Sequence, residues 1–210
     1  KNAPELIIKS IEKTNGALSM LHAVQSLDVD VLKNIKRGNI SSEAYRLFIE
    51  YVNSQSNNAQ PYTEIILALP GDTREKHFKS LRAGIENKVS TFRMYQAMLL
   101  HGTDMATAQT REAFGLITKF RILPGCIGRY RLGAQVVSVA EVEEIIVGGK
   151  DMPFEDYVSC RVMNLLVETF VNNGLLEELF ASLEQMGVGV FDVLEHIHGN
   201  PQSYSENMRD

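Results

Sequence analysis

The stretch Tyr62–Thr73, Tyr-Thr-Glu-Ile-Ile-Leu-Ala-Leu-Pro-Gly-Asp-Thr, limits the fold more than any other part of this chain. Five apolar residues, Ile65–Leu69, follow one carboxylate at Glu64. A run that short, without alternation, suits a strand buried on both faces, as in a parallel sheet. Pro70 and Gly71 stop it, and Asp72 or Thr73 caps the helix that follows. Strand, tight turn and helix N-terminus together form the carboxyl edge at which α/β proteins bind ligands.

The flanking segments repeat this alternation. Pro4–Thr14 has helical spacing and ends at Asn15-Gly16, and Ala17–Val24 reads as a strand. Ser26 or Asp28 caps a short helix over Val29–Lys36, and Ser41-Ser42-Glu43 opens another. Ser54–Gln60 is a polar connection, Arg74–Asn87 a helix, and Thr91–Leu100 a further strand ending at His101-Gly102-Thr103. The pattern predicts parallel βαβ units with about three strands, part of a barrel or an open sheet, since a closed eight-stranded barrel takes about 250 residues. After Thr107 the texture changes. Thr118–Tyr130, with Pro124, Gly125 and Gly128, is expected to be loop, and Gln135–Val139 and Val142–Val147 a small hairpin across Ala140-Glu141. Three helices follow, Phe154–Asn172, Leu175–Met186 and Val190–His198, separated by Gly174 and Gly187. The last ten residues are polar and expected to fray.

Composition narrows the function classes. The 210 residues carry a net charge of −5, which gives no basic footprint for nucleic acid. No apolar run approaches the ~20 residues of a membrane span. Two distant cysteines, Cys126 and Cys160, fit a reducing, cytoplasmic setting and form no multi-cysteine metal motif. The start, Lys1-Asn2-Ala3-Pro4, has no signal-peptide pattern and no initiator Met, so a processed product or an excised piece is expected. A truncated sheet would leave an unpaired strand edge, and self-association is expected from it.

Three landmarks occur in order: Gln25-Ser26-Leu27-Asp28 with Leu32-Lys33-Asn34-Ile35-Lys36-Arg37, then Glu64–Thr73, then Leu99-Leu100-His101-Gly102-Thr103. Over Leu18–Thr103 the chain resembles the second half of a radical SAM domain, as in the cobalamin-binding branch, the methylthiotransferases and the coproporphyrinogen dehydrogenases. Thr118–Tyr157, with Phe120-Arg-Ile-Leu-Pro and Glu143-Glu144, is similar to the region after the barrel in some cobalamin-branch members. The resemblance implies the C-terminal portion of a partial (β/α) barrel over residues 1–104, a connection over 105–150 and a C-terminal helical segment over 151–210. It implies a parent that cleaves S-adenosylmethionine reductively at a 4Fe–4S cluster, with cobalamin as a further cofactor and an unknown substrate. The family's Cys-x3-Cys-x2-Cys and Gly-Gly-Glu segments do not occur in this sequence. The N-terminal half of the parent is the implied partner, and this chain alone is expected to be inactive, because two cysteines do not make a cluster site.

The same resemblance implies the site residues. Gln25 ends the first strand, and its amide suits a ribose or a carboxylate; the alternative is a loop-capping amide. Arg37 matches the methionyl carboxylate with its two-point fork, or serves as a cation at a helix C-terminus. Glu64 takes the ribose hydroxyls, or is a solvated edge charge. Ala68, Leu69 and Pro70 stand where the family has Gly-Leu-Pro-Gly-Glu-Thr, and Ala68 in place of Gly narrows the room for an adenine. Asp72 replaces the Glu of that motif and keeps its charge. Leu100 and Gly102 belong to the final turn, where His101 replaces a Pro. His196 and His198 diverge by about 200° on a helix and do not form a metal pair. Glu141, Glu143 and Glu144 read as solvated charges. A second reading makes the chain a non-catalytic α/β module that binds a partner through its C-terminal helices.

Overall fold

β2, Tyr62–Leu67, lies at the centre of a three-stranded parallel sheet between β1, Leu21–Gln25, and β3, Thr91–Gln96. The computed structural model describes residues 6, 9–10, 13–14, 21–38, 42–54 and 62–206. Of the Pro4–Thr14 helix only residues 6, 9, 10, 13 and 14 are described. The Asn15-Gly16 break, the start of the Ala17–Val24 strand, most of the 54–60 connection and the last four residues lie outside the described part. β1 leads through α1 (Val29–Asn34) and α2 (Ser42–Ser54) to β2, and α3 (Arg74–Glu86) joins β2 to β3. Helix starts follow from capping chemistry. Asp28 accepts the N–H groups of Asp30 and Val31 at 3.0 Å, and Thr73 accepts that of Lys76 at 3.2 Å. Asp72, the other candidate cap, is buried instead.

β2 is not buried on both faces. Thr63, Ile65 and Leu67 are buried, whereas Tyr62, Glu64 and Ile66 are half-exposed. The cause is one-sided helix cover. Ile65, Val24 and Phe92 pack on Ile49 of α2, Leu81 and Ile85 of α3, and Met163 and Val167 of α5 (Phe154–Val167). Each such buried side chain contributes roughly 1.5–3 kcal/mol. The other face carries Tyr62, Glu64, Ile66, Arg93 and Tyr95 in adjacent register, with Arg93 stacked 4.7 Å over the Tyr62 ring. α3 also buries His77, which bonds Asn164 at 2.8 Å and whose pKa burial lowers to about 4.

β3 ends at Gln96 rather than Leu100, because the chain then turns to meet a second sheet. Ala97 accepts the N–H of Ile146 and Leu99 donates to Glu144, both at 2.9 Å. Nearer its start, β3 meets the side-chain amide of Asn172. That amide accepts the Phe92 N–H and donates to the Phe92 carbonyl, each at 2.8 Å, as a neighbouring strand would. The β3 edge is thus covered at Phe92 and beyond Gln96, whereas β1, the edge that a preceding half would extend, pairs with β2 alone among the described strands.

The second sheet corrects the reading of residues 117–148. In place of a loop and two short strands, β4 (Ile117–Leu132) and β5 (Gln135–Gly148) form one long antiparallel ribbon turning at Gly133. The register slips between Ile122 and Ile127, where Leu123–Cys126 bulge opposite Glu141. Pro124 removes a ladder donor and Gly125 takes φ 76°, so these residues bulge the strand without ending it. α5 continues into a π-helical turn, Glu168–Asn172, which carries Asn172 to β3. α4 (Ala108–Phe114), α6 (Glu177–Gln185) and α7 (Val190–Gly199) complete the described helices. Gly174 and Gly187 adopt φ 59° and 82° at the expected breaks. Among the described residues, no helix is long and apolar enough to cross a membrane.

A Cβ on Gly84 of α3 would lie 2.5 Å from Phe92 Cε1 and 2.8 Å from Cζ. Overpacking costs about 1–3 kcal/mol, more than the ~1 kcal/mol that helix propensity returns. Gly84→Ala is therefore expected to destabilise by about 1–2 kcal/mol in urea unfolding, and Phe92→Leu in the same chain to recover part of the loss.

Candidate functional site

The strands end in two strained residues. β1 closes on Gln25 at φ 58°, the centre of a three-residue γ-turn in which Ser26 N–H donates to the Val24 carbonyl at 2.7 Å. After β2, Ala68 takes φ 65°. A non-glycine residue there costs on the order of 1–3 kcal/mol and persists only where its surroundings fix it. Asp72 supplies that fixation, accepting the N–H groups of Ala68 at 3.3 Å and Thr73 at 3.0 Å. Burial pushes the Asp72 carboxyl up to about 7, against the opposing pull of those two donors and of Lys76.

Helix α1 is fastened to this turn at both ends. Lys76 donates to the Gly71 carbonyl at 3.0 Å and lies 3.2 Å from the Asp28 cap. Asn34 donates to the Pro70 carbonyl at 3.0 Å. A Cβ at Gly71 would stand 2.3 Å from Asn34 Nδ2, and φ there is 81°, so glycine is required on two grounds. α1 itself ends with Lys36 at φ 54°. Arg37 N–H returns to the Leu32 carbonyl and Lys36 N–H to Lys33, a Schellman closure.

These elements enclose a cleft of about 1470 Å³ at the carboxyl edge. That exceeds the ~300–1,000 Å³ of a typical small-molecule site. Gln25, Arg37, Leu69, Pro70 and Leu100 line it. Glu64, Ala68 and Gly102 do not. Glu64 shares the open sheet face with Ile66 but sits two residues, about 6.6 Å, further from the edge, beside its register partner Arg93. Ala68 is buried in the core below the turn, so its methyl group takes no room from the cleft. Gly102, at φ 81°, is exposed in the turn beyond.

Several lining residues escape the sequence reading. Tyr95 and Gln96 end β3 as Gln25 ends β1, and ending the strand four residues earlier would have exposed them as candidates. Lys36 and Asp104 pair across the mouth at 2.6 Å, both strongly exposed. The pairing raises the Lys36 pKa and lowers that of Asp104. Behind them Thr107 and Thr110 each donate to the Asp104 carbonyl at 2.8 Å. Glu144 is no solvated charge either. It receives Arg111 through two 2.6 Å bonds and the Thr118 hydroxyl at 2.6 Å, and these donors hold its pKa at about 2. This pair ties α4 to the ribbon.

Gln25 and Arg37 line the same cleft as apolar Leu69, Pro70 and Leu100. A 4Fe–4S cluster does not fit. Cys126 is exposed in the β4 bulge and Cys160 is buried in α5, where burial pushes its thiol far up. No group of three His, Cys, Asp or Glu among the described residues is placed to hold a metal.

No family model matches the chain. It is similar to the cobalamin-dependent radical SAM methyltransferase TokK of Streptomyces tokunonensis, 33% identical over 101 residues. The likeness covers 46% of this chain and 14% of that protein's length.

Because the folded pKa of Asp72 lies above the usual 3.8, the neutral acid's contribution to stability is full below pH ~4 and is lost as pH rises through about 7. The stability advantage of the native chain over Asp72→Asn is thus expected to shrink by a few kcal/mol between pH 4 and 7. Urea unfolding of both proteins across that range checks it, and a constant difference would refute it.

Proposed function

We propose that this chain is the S-adenosylmethionine-binding second half of a radical SAM enzyme, and that the rest of the parent supplies the 4Fe–4S cluster and a cobalamin. The parent cleaves S-adenosylmethionine reductively and starts radical chemistry on its substrate. The observation that carries the reading is the convergence of the strained Gln25 strand end, Arg37 and Leu69-Pro70 on one cleft. The order of the three sequence landmarks and the likeness to a radical SAM methyltransferase support it.

In this reading Arg37 grips the methionyl carboxylate in two-point fashion, and Gln25 bonds the ribose or that carboxylate. Leu69, Pro70 and Leu100 supply an apolar bed for the adenine, while the Asp72 network keeps the turn in place. Glu64 takes the ribose hydroxyls if the ligand extends below Ile66 along the open sheet face. The buried face of the sheet contributes rigidity only.

One observation favours a partner-binding module instead. On α5, Phe154, Val158, Val162 and Leu165 form an exposed apolar stripe at helical spacing, opposite its buried side. The two readings differ in their ligand.

Calorimetric titration of the full-length gene product with S-adenosylmethionine is expected to show binding. Gln25→Ala and Arg37→Ala should each weaken it by roughly 5- to 30-fold, about 1–2 kcal/mol. Absence of binding, or variants that bind as the native protein does, would leave only the module reading. The coding sequence upstream is expected to carry Cys-x3-Cys-x2-Cys. The 210-residue chain alone, reconstituted with iron and sulfide without air, is expected to show no cluster absorbance.

A further inference from the structure

The β4–β5 ribbon exposes an apolar face that packs against no other element among the described residues. Cross-strand pairing places Phe120, Ile122, Ile127, Arg129 and Arg131 of β4 on one face with Val136, Ser138, Ala140, Val142 and Glu144 of β5. Phe120 is 71% exposed, Ile122 64%, Ile127 65%, Val136 62% and Val142 59%. A two-stranded ribbon with large apolar groups in water is marginal by itself. The face presents on the order of 500 Å² of apolar surface, at the top of what monomers leave open.

We propose that this face is the interface between two copies of the chain, stacked ribbon on ribbon about a two-fold axis that crosses the strands. The order of residues along the face argues for a second copy. From base to tip it runs through an aromatic, Phe120; an aliphatic centre, Ile122, Val142, Ile127 and Ala140; and a tip where Arg129 and Arg131 lie beside Ser138 and Val136. A two-fold axis through the centre lays aliphatic on aliphatic and turns each tip onto the other copy's base. Arg129 then lies over the partner's Phe120 as a cation–π pair, and the two cationic tips stay at opposite ends. Glu144, at the base, is already held by Arg111 and leaves no unpaired acid to bury. With the stems of both arginines included, the buried surface approaches the ~800 Å² per partner of a standard interface. Ribbons of equal twist stack well in this aligned manner, and the self-complementary patch makes the contact isologous, so it closes at two copies.

Sedimentation velocity and light scattering on the native chain are expected to give a dimer. Ile127→Glu should convert it to a monomer with unchanged far-ultraviolet circular dichroism. Phe120→Arg and Arg129→Glu should each weaken association at least ~10-fold, and the double variant should restore it, because the new arginine of one copy then faces the new glutamate of the other. The proposal is overturned by a native monomer at the highest soluble concentration, which would leave the face to another part of a parent protein. It is equally overturned by a dimer indifferent to Ile127→Glu, or by a double variant that stays as weak as the single ones.

Discussion

The carboxyl edge of this protein depends on one buried carboxylate. Asp72 joins the N–H groups at both ends of the turn that leaves β2, and so holds Ala68 in a backbone region that an alanine seldom occupies. The same turn receives Asn34 and Lys76, which fasten α1 to it. Arg37 at the end of α1 and Leu69-Pro70 on the turn, side by side on one wall of the cleft, therefore keep a fixed separation. The cleft is thus held in shape by the fold's own bonds.

The other wall is built separately. Residues 97–116 take their position from the ribbon, through backbone bonds at Ala97 and Leu99 and through the Arg111–Glu144 pair. Lys36 and Asp104 meet across the opening between the two walls. Exposed pairs of that kind contribute little stability, at most about 1 kcal/mol, so the two walls are joined mainly through the sheet beneath them. At the far side of the sheet, the amide of Asn172 takes the place of a neighbouring strand at Phe92. A side chain that satisfies both peptide groups of one residue covers the edge without adding a strand.

Much of this was legible in the residues. Alternating strand and helix patterns with Asp28 and Thr73 as caps located β1 to β3 and α1 to α3, because capping and periodicity are local. Gly174 and Gly187 marked two helix ends correctly for the same reason. Gln25, Arg37, Leu69, Pro70 and Leu100 fell on the cleft because parallel strands bring their ends to one edge. The misplaced elements share a cause. Pro124, Gly125 and Gly128 read as loop, yet the ladder on either side of the bulge holds them in β4. Glu144 read as solvated, because neither Arg111 nor Thr118 is near it in sequence.

By itself the sequence determined the parallel three-stranded unit, its caps and the edge at which the cleft opens, since these follow from local propensity and the period of burial. Only the tertiary structure decided which face of β2 is covered, where β3 stops, that 117–148 is one ribbon, and that Ala68 takes a positive φ below the cleft. Those outcomes depend on contacts between residues far apart in the chain. Asp72 shows the division. Its sequence position offers a helix cap, but its burial and its two backbone bonds make it the fastening of the turn.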